Sequence, residues 1–364
     1  MSNARELAEL GGSYGTGGFV GMKNRIINGA MMIDQRNNGA TGTGTDAYPV
    51  DRFRVQAGAS GKWTWGRNLN SVTPPAGYKY YTGISSSSAY SLSAGDYFLL
   101  TQAIEGNNIA DLGFGAAGAS SVTLSFWVRS SLTGTFSGSL MNDGQSRAYV
   151  FTYTINSANT WEQKTITVAG DTGGTWLENN GIGLYVRFSL GTGSTYSTSS
   201  TNQWLGTSYW SATGSTNVMG TNGATFYITG VQLEEGTAAT AFEQRLYGTE
   251  LALCQRYYWR WTAGYSSHPL AVFQVYNTSS AWGKLFDLPV PMRAVPTAST
   301  SGSFAATNAG ASALSNFSTT SIAQNTTGML ATGAWTGSSG LVAGNATVVC
   351  AAAAGNYIDA SAEL

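Results

Sequence analysis

Two runs in the first two thirds of the chain alternate between apolar and polar positions. They are Ser121–Arg129, with apolar residues from Val122 to Val128, and Ile182–Leu190, with apolar residues from Ile182 to Phe188. This period of two is typical of half-buried β-strands. Further β-branched and aromatic runs, separated by clusters of Gly, Asn, Asp and Ser, cover residues 149–155, 161–168 and 224–233. Short strands joined by such turns predict an all-β protein built on an antiparallel sandwich.

One stretch, residues 248–262, breaks the β pattern. Leu251, Cys254 and Tyr258 recur at helical spacing, and Thr249 is a suitable N-cap residue. We therefore predict a short connecting helix here. Its apolar stripe either packs on its own sandwich or meets symmetry-related copies about a common axis, and the sequence leaves both arrangements open.

The residues after this helix predict a second β-sandwich over 263–364. Strand-like runs cover 271–276, 283–288, 346–350 and 357–362. Between Ala298 and Asn356 small residues dominate, so this region buries little apolar area per chain. Cyclic assembly would supply additional buried surface, and we therefore expect an oligomer.

The first 22 residues form a segment of different character. Leu7 and Leu10 are the apolar positions of a short helical stretch, and a Gly-rich tether around Tyr14 follows. Such a segment buries too little area to fold alone, so we expect it to become ordered only against a partner. The alternative is a disordered tail.

Composition narrows the class of protein. Only 10% of the residues are charged and 84 are Ser or Thr, yet 42% are hydrophobic, which is enough to build a core. The net charge of −1 argues against a nucleic-acid partner, and a single histidine excludes multi-histidine metal sites. The start of the chain lacks a signal-peptide pattern, and no run is long enough for a membrane span. We expect a protein made in a cytoplasm that does not insert into membranes.

Several sequence blocks together resemble a known family. In order, they are Asn24–Arg36, Asp51–Phe53, Gln102–Gly106, Thr123–Val128, Trp161, Gly230–Gly236 and Phe242–Tyr258. The series is similar to the carbohydrate-binding-module-like jelly roll found in many bacteriophage tail fibres, and it covers residues from about 24 to 260.

The resemblance implies a division of the chain and a function. It implies an attachment arm (1–22), a jelly roll (23–247), the connecting helix (248–262) and a C-terminal β domain (263–364). The expected protein is a non-enzymatic phage tail fibre, located in the virion tail. It would be a homotrimer that contacts other tail proteins through its N-terminus and binds a host surface polysaccharide. An adaptor or capsid-attached fibre without receptor binding and a polysaccharide-degrading enzyme remain as alternatives.

Aromatic residues in turn-rich stretches are the candidates for glycan binding, because exposed rings can stack on sugars. The nine candidates are Trp63, Trp65, Tyr78, Tyr80, Tyr81, Trp176, Trp204, Tyr209 and Trp210. Ordinary core or subunit packing is the alternative for each of them. Trp127 lies on the polar face of its predicted strand, where we expect a packing role.

The acidic residues give little support for hydrolysis or metal binding. A glycosidase needs two carboxylates across one cleft. Glu234 and Glu235 are adjacent on a predicted strand and point to opposite faces, and nothing in the sequence joins Glu105 to Asp111. We therefore predict no catalytic residues, no cofactor and no metal ligands among the side chains. A structural calcium, which related jelly rolls often carry, has no D-x-D-x-D-G loop to support it here.

Overall fold

The computed structural model describes residues 22–277, 280–308, 315–319, 323–324, 328–331, 335–336 and 342–364. Apart from Met22, the predicted attachment arm (1–22), with Leu7, Leu10, Tyr14 and the Gly-rich tether, lies outside the described residues.

The first part of the chain consists of strands joined by turns and short 3₁₀ segments. The strands are β1 (Asp46–Val50), β2 (Phe53–Ala57), β3 (Trp63–Arg67), β4 (Thr82–Ser86), β5 (Tyr97–Glu105), β6 (Val122–Ser130), β7 (Gly134–Met141), β8 (Ala148–Ile155), β9 (Glu162–Val168), β10 (Ile182–Thr192), β11 (Ser197–Thr198), β12 (Trp204–Leu205), β13 (Ser211–Ala212) and β14 (Thr225–Glu235).

These strands form a two-sheet sandwich. One sheet has seven strands in the order β1-β2-β5-β10-β7-β8-β12, and the other has five in the order β3-β4-β14-β6-β9. Neighbouring strands in both sheets are antiparallel, and β11 and β13 form a separate parallel pair. The all-β class and the strands over 121–129 and 182–190 are confirmed.

The core of the sandwich lies between the two sheets. Leu124 and Phe126 of β6 face Val186 and Phe188 of β10 within one cluster of buried apolar side chains. Phe126 and Phe188 pack edge to face with ring centroids 5.0 Å apart. Alternate residues of β10 therefore point into the core, and Tyr185 and Arg187 point to the outer face of the seven-stranded sheet.

The second part of the chain follows α1 (Tyr247–Gln255), the one α-helix within the described residues. Its strands are β15 (Tyr258–Thr262), β16 (His268–Asn277), β17 (Ser280–Asp287), β18 (Thr297–Ser301), β19 (Phe304–Asn308), β20 (Ser315–Thr319), β21 (Ala323–Gln324), β22 (Gly328–Ala331), β23 (Trp335–Thr336), β24 (Ala346–Ala351) and β25 (Tyr357–Ser361). They form a three-stranded sheet, β15-β25-β18, and an eight-stranded sheet, β21-β22-β17-β16-β24-β19-β20-β23. Phe273, Val349 and Ile358 lie in the apolar cluster of this part.

The predicted connecting helix over 248–262 is wrong in its second half. Tyr258 begins β15, which pairs with β25, and therefore does not extend the helical stripe of Leu251 and Cys254. Cys254 is fully buried against Ile27 and Ile33 of the same chain. Of the two arrangements that the sequence allowed, the buried residues of this stripe pack locally.

The N-cap prediction is also wrong. The residue preceding α1 is Leu246, and it makes no side-chain capping hydrogen bond, whereas Thr249 lies inside the helix. The first turn is instead held by Glu250, whose carboxylate accepts the Asn28 backbone N–H and lies 3.5 Å from Arg245. This contact joins the helix to the first sequence block of the family resemblance.

Polar residues of several resemblance blocks meet where the sandwich contacts α1 and the chain end. The Asn28 amide donates to the carbonyls of Ile33 and Asp51 at 2.8 and 2.9 Å. Glu105, at the end of β5, accepts hydrogen bonds from Arg256 at 2.6 Å and from the Tyr257 hydroxyl at 2.8 Å. These block residues therefore hold the sandwich, the helix and the second part of the chain together.

The same junction contains the buried Arg52 and the half-buried Arg36, which share an acidic partner. Arg52 and Arg36 both pair with Glu363, and Arg36 also lies 3.4 Å from Asp51. The Arg52 guanidinium packs over the Tyr257 ring at 3.6 Å. Each buried positive charge here has a carboxylate beside it, as buried charges require.

Candidate functional site

Four of the nine predicted glycan-binding aromatics are buried. They are Trp63, Trp65, Tyr81 and Trp176, each less than one tenth exposed. The Trp63 and Trp65 indoles both donate to the Gly44 carbonyl, at 3.1 and 2.9 Å, and Trp63 packs edge to face on Phe98. A ring enclosed in this way presents no free face to a sugar, so the prediction is wrong for these residues.

The rings of Tyr81 and Trp176 are also enclosed by packing contacts. The Tyr81 hydroxyl donates to the Leu69 carbonyl at 2.7 Å, and its ring packs edge to face against Tyr227. Trp176 packs against Phe114 with ring centroids 4.9 Å apart. Their positions in turn-rich sequence did not imply exposure, because the turns fold back over the sheets.

Three further candidates are half-buried in packing contacts. Trp204 donates to the Ala169 carbonyl at 2.7 Å and packs on the aromatic cluster of the core. Tyr78 packs edge to face on Phe242, and Arg67 lies over the Tyr80 ring at 4.6 Å. The structure does not bring these three residues together.

Trp210 is the candidate that lies beside a polar cluster on a sheet face. Its indole stacks on Tyr196 with ring centroids 3.8 Å apart and packs edge to face on Tyr97 at 5.0 Å. The Arg187 guanidinium lies 5.0 Å from the Trp210 ring. Tyr209 precedes it in the chain and is half-exposed.

Three cross-strand neighbours form the floor beneath Trp210. In the register of the seven-stranded sheet, Arg187 of β10 lies directly opposite Thr101 of β5 on one side and Ser139 of β7 on the other. All three side chains point to the outer face of the sheet and are less than 5% exposed. The aromatic side chains beside this floor are Tyr97, Tyr185 and Trp210, and we call these six residues the Arg187 groove.

A glycine fixes the close approach of the two strands that carry this floor. A Cβ atom on Gly138 of β7 would lie 2.1 Å from the Arg187 carbonyl oxygen and 2.5 Å from the Phe151 ring. Only glycine fits this position, and the next residue, Ser139, is thereby placed opposite Arg187.

The polar atoms of the floor are poorly paired within the described residues. Thr101 Oγ1, Ser139 Oγ and Arg187 Nε are buried and form no hydrogen bond there. One terminal nitrogen of Arg187 lies 2.8 Å from the Met141 sulfur, and a thioether is a weak acceptor. Buried polar atoms without partners are rare in folded proteins, and three of them lie on adjacent strands here.

The electrostatics of the groove are those of an uncompensated cation. The pKa of Arg187 is lowered to about 10, mainly by burial and to a smaller extent by the charge of Arg54, whereas Tyr185 and Tyr97 act in the opposite direction. No carboxylate among the described residues forms an ion pair with Arg187. The Tyr185 ring, 4.4 Å from the guanidinium, supplies a cation–π contact.

The segment between β10 and β14, residues 193–224, covers part of the groove. It carries Trp210, whose backbone N–H donates to the Tyr196 carbonyl, and Ser211, whose hydroxyl lies 2.9 Å from that of Ser137 on β7. Thr216 donates to Thr135 on the same strand. The groove wall is thus attached to the sheet by hydrogen bonds at several points.

Sequence reasoning missed Arg187, Thr101, Ser139, Tyr97 and Tyr185. The alternation over Ile182–Leu190 predicts which residues form the apolar face, whereas Tyr185 and Arg187 are the large side chains on the other face. The sequence signal for this site is an arginine at an outward strand position with no acidic residue next to it in the sequence. Thr101 and Ser139 become neighbours only through strand pairing.

The acidic residues considered for hydrolysis are engaged in other contacts. Asp111 forms a two-point ion pair with Arg25, and Glu105 pairs with Arg256. Glu234 is buried and accepts hydrogen bonds from Thr240, whereas Glu235 is exposed. Their separation onto opposite faces of β14 is confirmed.

The described residues also bear on metal binding and on membrane insertion. They contain no group of three or more His, Cys, Asp or Glu side chains placed to hold a metal ion. None of their helices has the length and apolar character needed to cross a membrane. The expectation of no resident metal, with a structural calcium as its alternative, stays a prediction.

Comparisons with known proteins give matches among solved structures. No family model and no curated protein matches the chain. The enzymatically active domain of tailspike protein 4 from bacteriophage CBA120 is 14% identical, with a TM-score of 0.33, over 59% of this chain and 22% of that one. The module TmCBM61, solved with β-1,4-galactotriose, is 11% identical, with a TM-score of 0.31, over 59% of this chain and all of that one. A family 11 carbohydrate-binding module of Clostridium thermocellum is 11% identical, with a TM-score of 0.26, over 56% of this chain and all of that one.

These matches carry no conclusion about activity, because identities and TM-scores are low. The chain spans about a fifth of the tailspike domain that it matches.

Proposed function

We propose that this chain is a non-enzymatic tail-fibre protein of a tailed bacteriophage, and that it binds a host surface glycan in the Arg187 groove. The observation that carries the proposal is the convergence of three aromatic side chains and three buried polar side chains on one sheet face. A sugar presents C–H faces to aromatic rings and hydroxyls to hydrogen-bonding groups, and sites for such ligands combine these two surfaces.

The sequence blocks that resemble phage tail fibres support the part of the proposal that places the protein in a phage tail. In it, the N-terminal arm attaches the protein to other tail proteins in the virion, and three copies form the fibre. The polar block residues at the junction, such as Asn28 and Glu105, hold the parts of the chain together, so the glycan contacts come from other residues.

Adsorption of the purified protein to host cells tests the function. We expect wild-type protein to bind cells that carry surface polysaccharide and to lose binding when that polysaccharide is removed. Trp210→Ala should weaken adsorption at least about tenfold, because it removes the aromatic ring that borders the Arg187 guanidinium. Trp127→Ala is the matched control: it removes a half-exposed tryptophan from the outer face of the other sheet and should adsorb like wild type.

Two outcomes would overturn the proposal. A purely structural adaptor would show no polysaccharide-dependent adsorption, and Trp210→Ala would behave like Trp127→Ala. A polysaccharide-degrading enzyme would release new reducing ends from the isolated polysaccharide during incubation.

A further inference from the structure

The buried positive charge in the Arg187 groove has no carboxylate partner among the described residues. Among the described residues, Arg52 and Arg187 are the arginines less than one tenth exposed. Arg52 pairs with Glu363 and packs on Tyr257, so its charge is compensated within the fold. Arg187 has aromatic rings and a thioether as neighbours instead.

The charges nearest to the groove do not supply the missing anion. Arg54 adds positive potential at Arg187, and its own partner, Asp46, forms an exposed pair with it. Burial and, after it, the Asp143 carboxylate raise the pKa of Tyr185, but Asp143 is not among the charges that shift the pKa of Arg187. A solvent-exposed pair contributes little across the groove, because water screens it. The local field at the groove floor therefore favours a negative ligand group.

The hydroxyls beside Arg187 fit the same ligand group. Thr101 and Ser139 flank the guanidinium on the two neighbouring strands, and each carries a buried hydroxyl without a partner in the described residues. A hydroxyl can donate to a carboxylate, and a guanidinium binds a carboxylate through two parallel N–H groups. One carboxylate at the floor would satisfy donors from three strands.

We propose that the Arg187 groove is specific for an acidic glycan, in which a uronic acid carboxylate accepts hydrogen bonds from Arg187 while Tyr185 and Trp210 contact the sugar ring. This inference rests on the proposed function, because it names the class of glycan for the same site. A neutral sugar would meet the same rings but would leave the guanidinium charge without a counter-ion.

Matched pairs of oligosaccharides test the inference by titration calorimetry on the full chain. The probes are hexamers of glucuronate, galacturonate and mannuronate, each compared with the neutral hexamer made by reducing its carboxyl groups. We expect at least one uronate to bind at least about tenfold more tightly than its neutral partner, because hydrogen bonds to a charged group are stronger than those to a neutral one. A sulfated hexamer of the same backbone separates carboxylate recognition from general anion binding.

Variants of groove residues test whether Arg187 causes the preference for uronate hexamers over neutral ones. Arg187→Met keeps the length and apolar volume of the side chain but removes the charge, so the two members of a pair should bind with affinities within about twofold of each other. Trp210→Ala should weaken binding of both members, whereas Trp127→Ala should change neither. Unchanged circular dichroism of each variant shows that loss of binding is not loss of fold.

The outcomes separate this inference from the proposed function. If neutral hexamers bind as tightly as uronates and Trp210→Ala weakens both, the groove binds glycans and the acidic specificity is refuted. If the sulfated hexamer binds as tightly as the uronate, recognition of a carboxylate is refuted in favour of general anion binding. If no hexamer of either kind binds, both the inference and the groove as a glycan site are overturned.

Discussion

Replacing Arg187 with methionine tests whether this side chain serves ligand binding or the fold. Burial lowers the pKa of Arg187 from 12.5 to about 10, which corresponds to a cost of about 3 kcal/mol for holding the charge in the groove. The cation–π contacts with Tyr185 and Trp210, at 4.4 and 5.0 Å, together stabilise the charged side chain by about 2 kcal/mol. The Arg187→Met variant should therefore be as stable as wild type, or more stable by about 1 kcal/mol.

Arg52→Met is the matched control, because Arg52 is equally buried but paired. Its removal leaves Glu363 with Arg36 alone and also deletes a hydrogen bond to the Ala103 carbonyl. Breaking a buried ion pair on one side costs about 3–5 kcal/mol, so this variant should unfold at clearly lower urea concentration.

Urea unfolding followed by tryptophan fluorescence compares the two variants with wild type at equal protein concentration. The expected order of midpoints places Arg187→Met at or above wild type and Arg52→Met well below it. A loss of 3 kcal/mol or more in Arg187→Met would refute the reasoning, since it would show that Arg187 belongs to the structural network of the fold.

Four further predictions follow from other parts of the structure. Burial raises the pKa of Glu105, but the hydrogen bonds from Arg256, Asn107 and Tyr257 outweigh it and hold the pKa below its ordinary value. The stability that Glu105 contributes is therefore present near neutral pH and lost as the pH falls through the lowered pKa, so the difference in urea midpoint between wild type and Glu105→Gln should shrink in acid. Trp63→Ala should cost about 3–5 kcal/mol in urea unfolding, and a near-neutral effect would contradict its place in the core. Deleting residues 1–18 should leave a folded, soluble oligomer that no longer joins virions, and normal incorporation would refute the attachment role. Light scattering should give three times 38.1 kDa, and a single-chain mass at micromolar concentration would refute the trimer.

The parts of the fold that follow local periodicity could be predicted from the sequence. The alternation from Val122 to Val128 places four side chains in the sandwich core, and all four are fully buried. The helix was predicted too long because the helical spacing continues to Tyr258, where pairing with Ser361 about a hundred residues away favours a strand. Local spacing carries no information about such a distant partner.

The candidate site was harder to predict, because its exposure and contacts are set by non-local packing. Trp63 and Trp65 lie in a turn-rich stretch but belong to β3, where they point into the core. Arg187 was on the polar face of a correctly predicted strand. Arg187 has no acidic partner among the described residues because β5 and β7 are the strands that flank β10. The segment between β10 and β14 then places Trp210 above the guanidinium.

The position of the glycan can be observed directly with methyl NMR on protein whose methionines carry ¹³C-labelled methyl groups. Met141 is fully buried at the groove floor, 2.8 Å from the Arg187 guanidinium, whereas Met31 and Met219 are fully buried in the sandwich core. A Met141→Leu variant assigns the resonance at the groove. Titration with the uronate hexamers should shift the Met141 methyl signal in a saturable way and leave those of Met31 and Met219 in place. A saturable shift at other methionines with Met141 unchanged, or no shift with any hexamer, would contradict glycan binding in the Arg187 groove.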